Sequence, residues 1–159
     1  MDGAISVTKC SRCKLPSIVH QPYSGQHLCG RHLSDSVRRR TSRELRRQLS
    51  LPKDARKEDG SPFVVLVAVS GGKDSAVLLT MIKDIIGSRR DVKIVAGCVD
   101  EGIDGYRSPS LECARDLSGD LGVDFVTLSY EDMGYDRMDK VVSKIPGMGE
   151  LHDEASGMM

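Results

Sequence analysis

The sequence predicts an α/β protein in two parts: a small amino-terminal module with no core of its own, then the first β-α-β-α-β half of a doubly wound parallel sheet. Three observations carry this. From Phe63 onwards, β-branched apolar runs alternate with stretches of helical period, an order that a parallel sheet with right-handed crossovers satisfies. Residues 1–34 are rich in Cys, His, Pro and Gly and show no apolar period, so side-chain burial alone cannot hold them together. Charge divides along the same line. The chain of 159 residues is neutral, yet residues 1–60 hold 13 Lys/Arg against 6 Asp/Glu while residues 61–159 hold 10 against 17. Such asymmetry points to a nucleic-acid-facing segment joined to a body of different function.

The elements follow in order. Leu33, Val37, Leu45 and Leu49 recur at multiples of four, with Thr41 in the gap, and mark one helical stripe on a segment that is otherwise largely Arg. Leu51-Pro52 stops that helix, and residues 53–62, containing Asp59-Gly60 and Ser61-Pro62, form a polar linker. The continuous run Phe63 to Val69 predicts a strand buried on both faces. Ser75 to Ile86 places Ala76, Val77, Leu79, Ile82 and Ile86 on one helical face, with Gly87 as its stop. A second strand over Val92 to Val99, a second helix over Pro109 to Leu121, a third strand over Val123 to Leu128 and a weaker helix over Met138 to Ile145 follow. The expected divisions are residues 1–34 (metal-binding module), 35–60 (basic helix and linker) and 61–159 (sheet domain).

Composition excludes some classes. The longest apolar run has seven residues, against the roughly 20 that a membrane-spanning helix needs. Met1 to Ile5 lacks a basic stretch leading into an apolar one, so a cytoplasmic protein is expected. In a reducing compartment its five cysteines are metal ligands, reactive thiols or small buried groups before they are disulfides. Two Phe, four Tyr and no Trp offer little surface for stacking bases, so RNA would be held mainly by charge.

Two motifs carry chemistry. Cys10-x2-Cys13 and, fifteen residues on, Cys29-x2-His32 have the spacing of a structural zinc site, two knuckles closing a tetrahedron. Metal binding would supply the folding energy that this segment lacks. His20 and His27 are rivals for the fourth place, and His32 is preferred because it repeats the two-residue spacing of the first knuckle. Ser70-Gly71-Gly72-Lys73-Asp74-Ser75 lies between the first strand of the sheet and its helix, where such folds bind phosphate. The glycines let backbone approach an anion, Ser70 and Ser75 donate hydroxyls, Lys73 adds charge, and Asp74 can cap the helix or hold Mg2+. The spacing is neither that of the Walker loop nor that of the dinucleotide fingerprint. The arginines Arg38, Arg39, Arg40, Arg43, Arg46 and Arg47 face one acid, Glu44, and suit either a phosphate backbone or a solvated face.

The loop after a buried strand resembles the pyrophosphatase loop (PP-loop) of the N-type ATP pyrophosphatases. Within that group three motifs are similar to those of the tRNA 2-thiolation proteins of archaea and the eukaryotic cytosol. They are the two cysteine-containing knuckles, Gln21-Pro22-Tyr23-Ser24-Gly25 ahead of Leu28-Cys29, and Asp100-Glu101-Gly102-Ile103 with Gly105-Tyr106-Arg107. The resemblance runs from about Cys10 to about Lys144. It implies ATP with Mg2+ bound against Ala68 and the loop Ser70 to Ser75, with Cys98 to Asp100 beside adenine and ribose. It also implies adenylation of the C2 oxygen of a tRNA uridine, release of pyrophosphate and replacement of that oxygen by sulfur. tRNA and a ubiquitin-like sulfur carrier are the implied partners, and a homo-oligomer stays open. Members carry a Cys-x-x-Cys with paired arginines after the helix that is here Met138 to Ile145, and a third cysteine further on, which hold an iron–sulfur cluster or carry sulfur. Residues 1–159 contain no equivalent, so no catalytic residue is named and the expectation is an amino-terminal half. Cys98 in its apolar strand and Cys113 on its helix are expected to be buried. The alternative is a non-catalytic zinc- and nucleotide-binding fragment that binds RNA or a partner.

Overall fold

In the computed structural model, which describes residues 8–103 and 107–145, the chain divides into two units between Lys53 and Asp54. Of the expectations above, those for Met1 to Ile5, for Gly105-Tyr106 and for the segment after Ile145 lie outside the described residues.

The first unit opens with strands β1 (Val19–Gln21) and β2 (Gln26–Leu28), paired antiparallel with Val19 opposite Leu28 and His20 opposite His27. Its buried apolar residues are Cys10, Leu28 and Cys29, against which Cys13, Val19 and Leu33 pack, and α1 adds only the buried Ser36. A core with two thiols among three buried residues removes little apolar surface from water, consistent with the lack of apolar period in the sequence. Helix α1 (Gly30–Leu49) starts three residues before its first apolar position because the second knuckle is itself the first turn: Leu33 N–H donates to the Cys29 carbonyl at 2.9 Å. Its last turn carries Arg46 and Arg47, which suit the negative end of the helix dipole, and Ser50 then turns left-handed at φ 44°.

The second unit is a parallel sheet of β3 (Phe63–Ala68), β4 (Val92–Asp100) and β5 (Asp124–Ser129), in that spatial order. Phe63 pairs with Val92 and Val95 with Asp124. Helices α2 (Lys73–Ile86) and α3 (Arg107–Asp120) make the crossovers, and the six-residue α4 (Met138–Ser143) follows β5. The expected α/β order is therefore present.

One expectation needs correction. The β-branched runs predict strands buried on both faces, yet only one face is covered among the described residues. Val65, Val67, Ile94, Ala96 and Cys98 are buried, whereas on the alternate positions Val64 is 43%, Leu66 63%, Val126 51% and Leu128 46% exposed. Strands added one after another in the same direction by right-handed crossovers send their helices to the same side. α2 follows suit: it buries Leu79, Ile82 and Ile86 but leaves Val77, expected on the inner face, 53% exposed.

The linker is fastened to the sheet by one carboxylate. Asp91, just before β4, is buried and accepts from the Ala55 backbone N–H at 2.7 Å and from Arg89 Nε at 3.0 Å, while its own carbonyl accepts from Phe63 N–H. The Arg89 guanidinium, and then the Ala55 amide, hold the Asp91 carboxyl well below the usual carboxylate range. A folded value below the unfolded one means that this clasp stabilises the fold at pH values above the unfolded value of about 3.9 and is lost as pH falls towards the folded value. Asp91→Asn is expected to lower the melting temperature of the second unit by about 5 °C at pH 7, with the difference from wild type shrinking below about pH 4. An equal deficit at pH 7 and pH 3 in thermal scans would contradict the linkage.

Candidate metal centre and nucleotide loop

The structure brings Cys10, Cys13, Cys29 and His32 together: one ligand atom from each lies within 4.8 Å of all the others. The first knuckle forms because Cys13 N–H folds back to the Cys10 carbonyl at 3.3 Å, and the second because Cys29 caps α1. β2 carries Leu28 and Cys29 to the cluster, and the isolated bridge between Lys9 and Pro16 closes the first loop. Cys13 Sγ lies 3.7 Å from Cys29 Sγ, and His32 Nδ1 is 3.3 Å from Cys10 Sγ and 3.4 Å from Cys29 Sγ. A tetrahedral ion with bonds of about 2.3 Å to sulfur and about 2.05 Å to nitrogen sets its ligand atoms about 3.5–3.8 Å apart, so the cage has the right size for Zn2+. His20 and His27 stand outside it, stacked on each other with ring centroids 4.5 Å apart across the hairpin.

The cluster's electrostatics point the same way. Burial opposes ionisation of Cys10, but the backbone amides of Arg12, Cys29 and Cys13, together with the His32 ring, hold its thiol down to about 6 from 9.0. For Cys13 the Leu15 amide acts downward, yet burial and the crowding thiols of Cys10 and Cys29 raise it overall. Three thiols this close repel as thiolates, and a divalent cation between them removes that conflict.

The second site is the turn from β3 into α2. Ser75 Oγ donates to the Gly72 carbonyl at 2.9 Å and accepts from the Ser70 backbone N–H at 3.1 Å, so the two serines brace the loop. Gly71 has φ 82°, and a Cβ there would overlap the Ser110 carbonyl on α3. Gly72 is the helix N-cap and gives no side-chain cap, which leaves the first-turn amides pointing outward as an anion site. Lys73 and Asp74 are exposed beside them. A cavity of about 170 Å³ lies between Gly71, Gly72, Lys73 and Ser75 on one side and Cys113 and Leu117 on the other. Val69, Ala76 and Ala114 complete its largely apolar lining, and it is smaller than the roughly 300 Å³ at which ligand pockets begin, so it is a packing gap behind the loop and not the nucleotide pocket.

The remaining candidate residues sit at the carboxyl edge of the sheet. Ala68 is exposed at the end of β3 and pairs with Gly97. Asp100 ends β4, where its Oδ1 accepts from Gly102 N–H at 2.9 Å, and Met138 N–H binds the Glu101 carbonyl. Cys98 is buried with the helix-side residues of the sheet. Cys113, expected to be buried, is exposed. The side of α3 that is buried carries Ala114 and Ser118, and Cys113 is one residue, about 100° of helix, away from it. Arg137 was not foreseen; it lies over Gly102, whose φ is 72°, and no local pattern announces it because it comes from the loop before α4.

Comparison with known proteins bears out the family resemblance. Residues 9–34 match the family described as the 2-thiouridine synthetase TtuA, N-terminal LIM domain. The tRNA 2-thiolation protein NcsA of Haloferax volcanii is 38% identical over 87% of this chain, which spans 42% of that protein. The cytoplasmic tRNA 2-thiolation protein 1 of Mus musculus is 32% identical over 88% of this chain and 32% of its own length. The solved U34-tRNA thiolase NcsA from Methanococcus maripaludis with its [4Fe-4S] cluster superposes with a TM-score of 0.66 at 26% identity, covering 96% of this chain and 49% of that one. The chain thus spans less than half the length of these relatives. No second group of three or more metal-ligating side chains forms among the described residues, so they do not fit a [4Fe-4S] cluster.

Proposed function

We propose that this chain, similar to the amino-terminal half of the tRNA 2-thiolation proteins, is the zinc-stabilised, ATP-binding part of a cytoplasmic ATP-dependent tRNA uridine 2-thiolation protein. The observation that carries the reading is the loop Ser70 to Ser75 at the carboxyl end of β3, its helix amides uncapped and its backbone narrowed to glycine where α3 crosses it. In this reading the loop holds the pyrophosphate end of ATP, Lys73 sets a cation against it, and Asp74 anchors Mg2+. Ala68 and the segment from Cys98 to Asp100, at the same edge of the sheet, lie beside the nucleoside, with the buried Cys98 side chain packing β4 from within.

The chemistry follows from where charge develops. When a uridine oxygen attacks the α-phosphate, negative charge builds on the departing pyrophosphate, and preorganised amides and Lys73 stabilise it there more than in the ground state; Mg2+, which Asp74 would hold, would supply further positive charge. Zn2+ would be held by Cys10, Cys13, Cys29 and His32 with no open position, so its part is structural.

Lys73→Ala and Asp74→Ala are each expected to weaken MgATP binding by about tenfold or more without lowering the melting temperature, since both side chains are exposed and neither packs in the core. Calorimetric titration checks this. Unchanged affinity in both variants would remove the loop from the nucleotide site.

A further inference from the structure

Helix α1 holds seven arginines and no lysine in 20 residues, against the acids Asp35 and Glu44. Arg39, Arg43 and Arg47 follow at four-residue intervals, about 6 Å apart along the axis. Arg40 and Arg46 flank this row, so five guanidinium groups share one side of the helix, and all five are exposed. A merely solvated helix alternates its charges. Here like charges stand at i, i+4, an arrangement that weakens a helix unless a polyanion neutralises it.

The row is also partly preset. Arg39 Nε donates to the Asp35 carbonyl at 3.3 Å, which leaves its terminal nitrogens outward. The Arg40 guanidinium lies 4.6 Å from the Tyr23 ring centroid, and Arg47 is held by Glu44 at 2.8 Å. Arg43 and Arg46 have no partner among the described residues. Arginine forks suit phosphate oxygens bidentately in a way that lysine does not. The exposed aromatic of this unit, Tyr23, has one ring face engaged by Arg40, so what adjoins the row is at most the other face of a single ring and not the succession of aromatics on which a single strand stacks its bases.

From these features we infer that the arginine face of α1 docks double-helical RNA through its phosphate backbone, without reading sequence. The inference deepens the tRNA reading and rests on it for its biological partner: a base-paired arm of tRNA, and not the unpaired nucleotide that reacts, lies on α1. Duplex RNA is recognised by shape and phosphates, which fits a row of cations beside a single aromatic ring.

The test uses the full chain, zinc-loaded, with fluorescence anisotropy on an RNA duplex of about 16 base pairs, a single strand of the same length and a tRNA transcript. Wild type is expected to bind the duplex more tightly than the single strand. R39Q/R43Q/R46Q is expected to lose at least about tenfold in duplex affinity, and its slope of log K against log salt to fall by about three. Gln keeps helix propensity, and unchanged zinc content and MgATP affinity show that the fold survives. R39K/R43K/R46K, which keeps charge but not the fork, is expected to fall between the two. Duplex binding by the Gln variant equal to wild type, or single-strand binding as tight as duplex, would overturn the inference. A tRNA bound no more tightly than the unrelated duplex agrees with this docking surface and counts instead against the tRNA-specific function.

Discussion

Cys29→Ala, or removal of metal by a chelator, is expected to unfold residues 8–34 while the parallel sheet keeps its cooperative transition. The only apolar residues that the described part of the first unit buries are Cys10, Leu28 and Cys29, and two of those three are themselves ligands in the cluster. Without an ion, three thiols and an imidazole within 4.8 Å must share or shed protons, and the hairpin β1–β2, with three residues per strand, cannot stand alone. Structural zinc contributes about 10–16 kcal/mol in small modules at neutral pH, far more than this core can. One zinc per chain by metal analysis, and selective collapse of the amide signals of residues 8–34 after chelation, are the expected results. Acid should release the ion as the thiolates protonate. A metal-free preparation with the same spectrum would refute the assignment.

Gly71→Ala is expected to damage fold and nucleotide site together. The left-handed conformation at φ 82° alone disfavours a side chain by about 1–2 kcal/mol. The new Cβ would in addition meet the Ser110 carbonyl, which is backbone and cannot swing away. We expect a loss of at least about 2 kcal/mol, or a melting temperature lower by roughly 10 °C, with MgATP binding abolished as the loop and α3 separate. Gly72→Ala is the control. Its φ of −82° suits any residue and its nearest neighbour, Ser70 Oγ, would be at 3.5 Å, so stability should be retained. Equal melting temperatures for Gly71→Ala and wild type would contradict the packing described here.

How far the sequence discloses this arrangement depends on the range of the interaction concerned. Ligand spacing and the order of strand, loop and helix are local, so the grouping of Cys10, Cys13, Cys29 and His32 and the position of Ser70 to Ser75 are readable before any fold is known. The hairpin is not, because Val19–Gln21 and Gln26–Leu28 are too short to display a period. Coverage of the sheet is not either: Val64 and Leu66 are as apolar as Val65 and Val67, and only the side taken by the crossovers separates them. Cys113 and Arg137 reach their places through helix rotation and a loop closure that involve residues far away in sequence.

If the Ser70 to Ser75 loop serves the proposed adenylating, pyrophosphate-releasing reaction on RNA, the fate of the ATP phosphates reveals it. Product analysis tests it most directly: the zinc-loaded chain is incubated with MgATP labelled in the α- and γ-phosphates, with and without a uridine-containing tRNA transcript. The expected result is tRNA-dependent release of pyrophosphate, with the α-label passing to the RNA or appearing as AMP, and loss of that signal in Lys73→Ala. Formation of ADP and inorganic phosphate, or pyrophosphate release that ignores both tRNA and the Lys73 substitution, would contradict it.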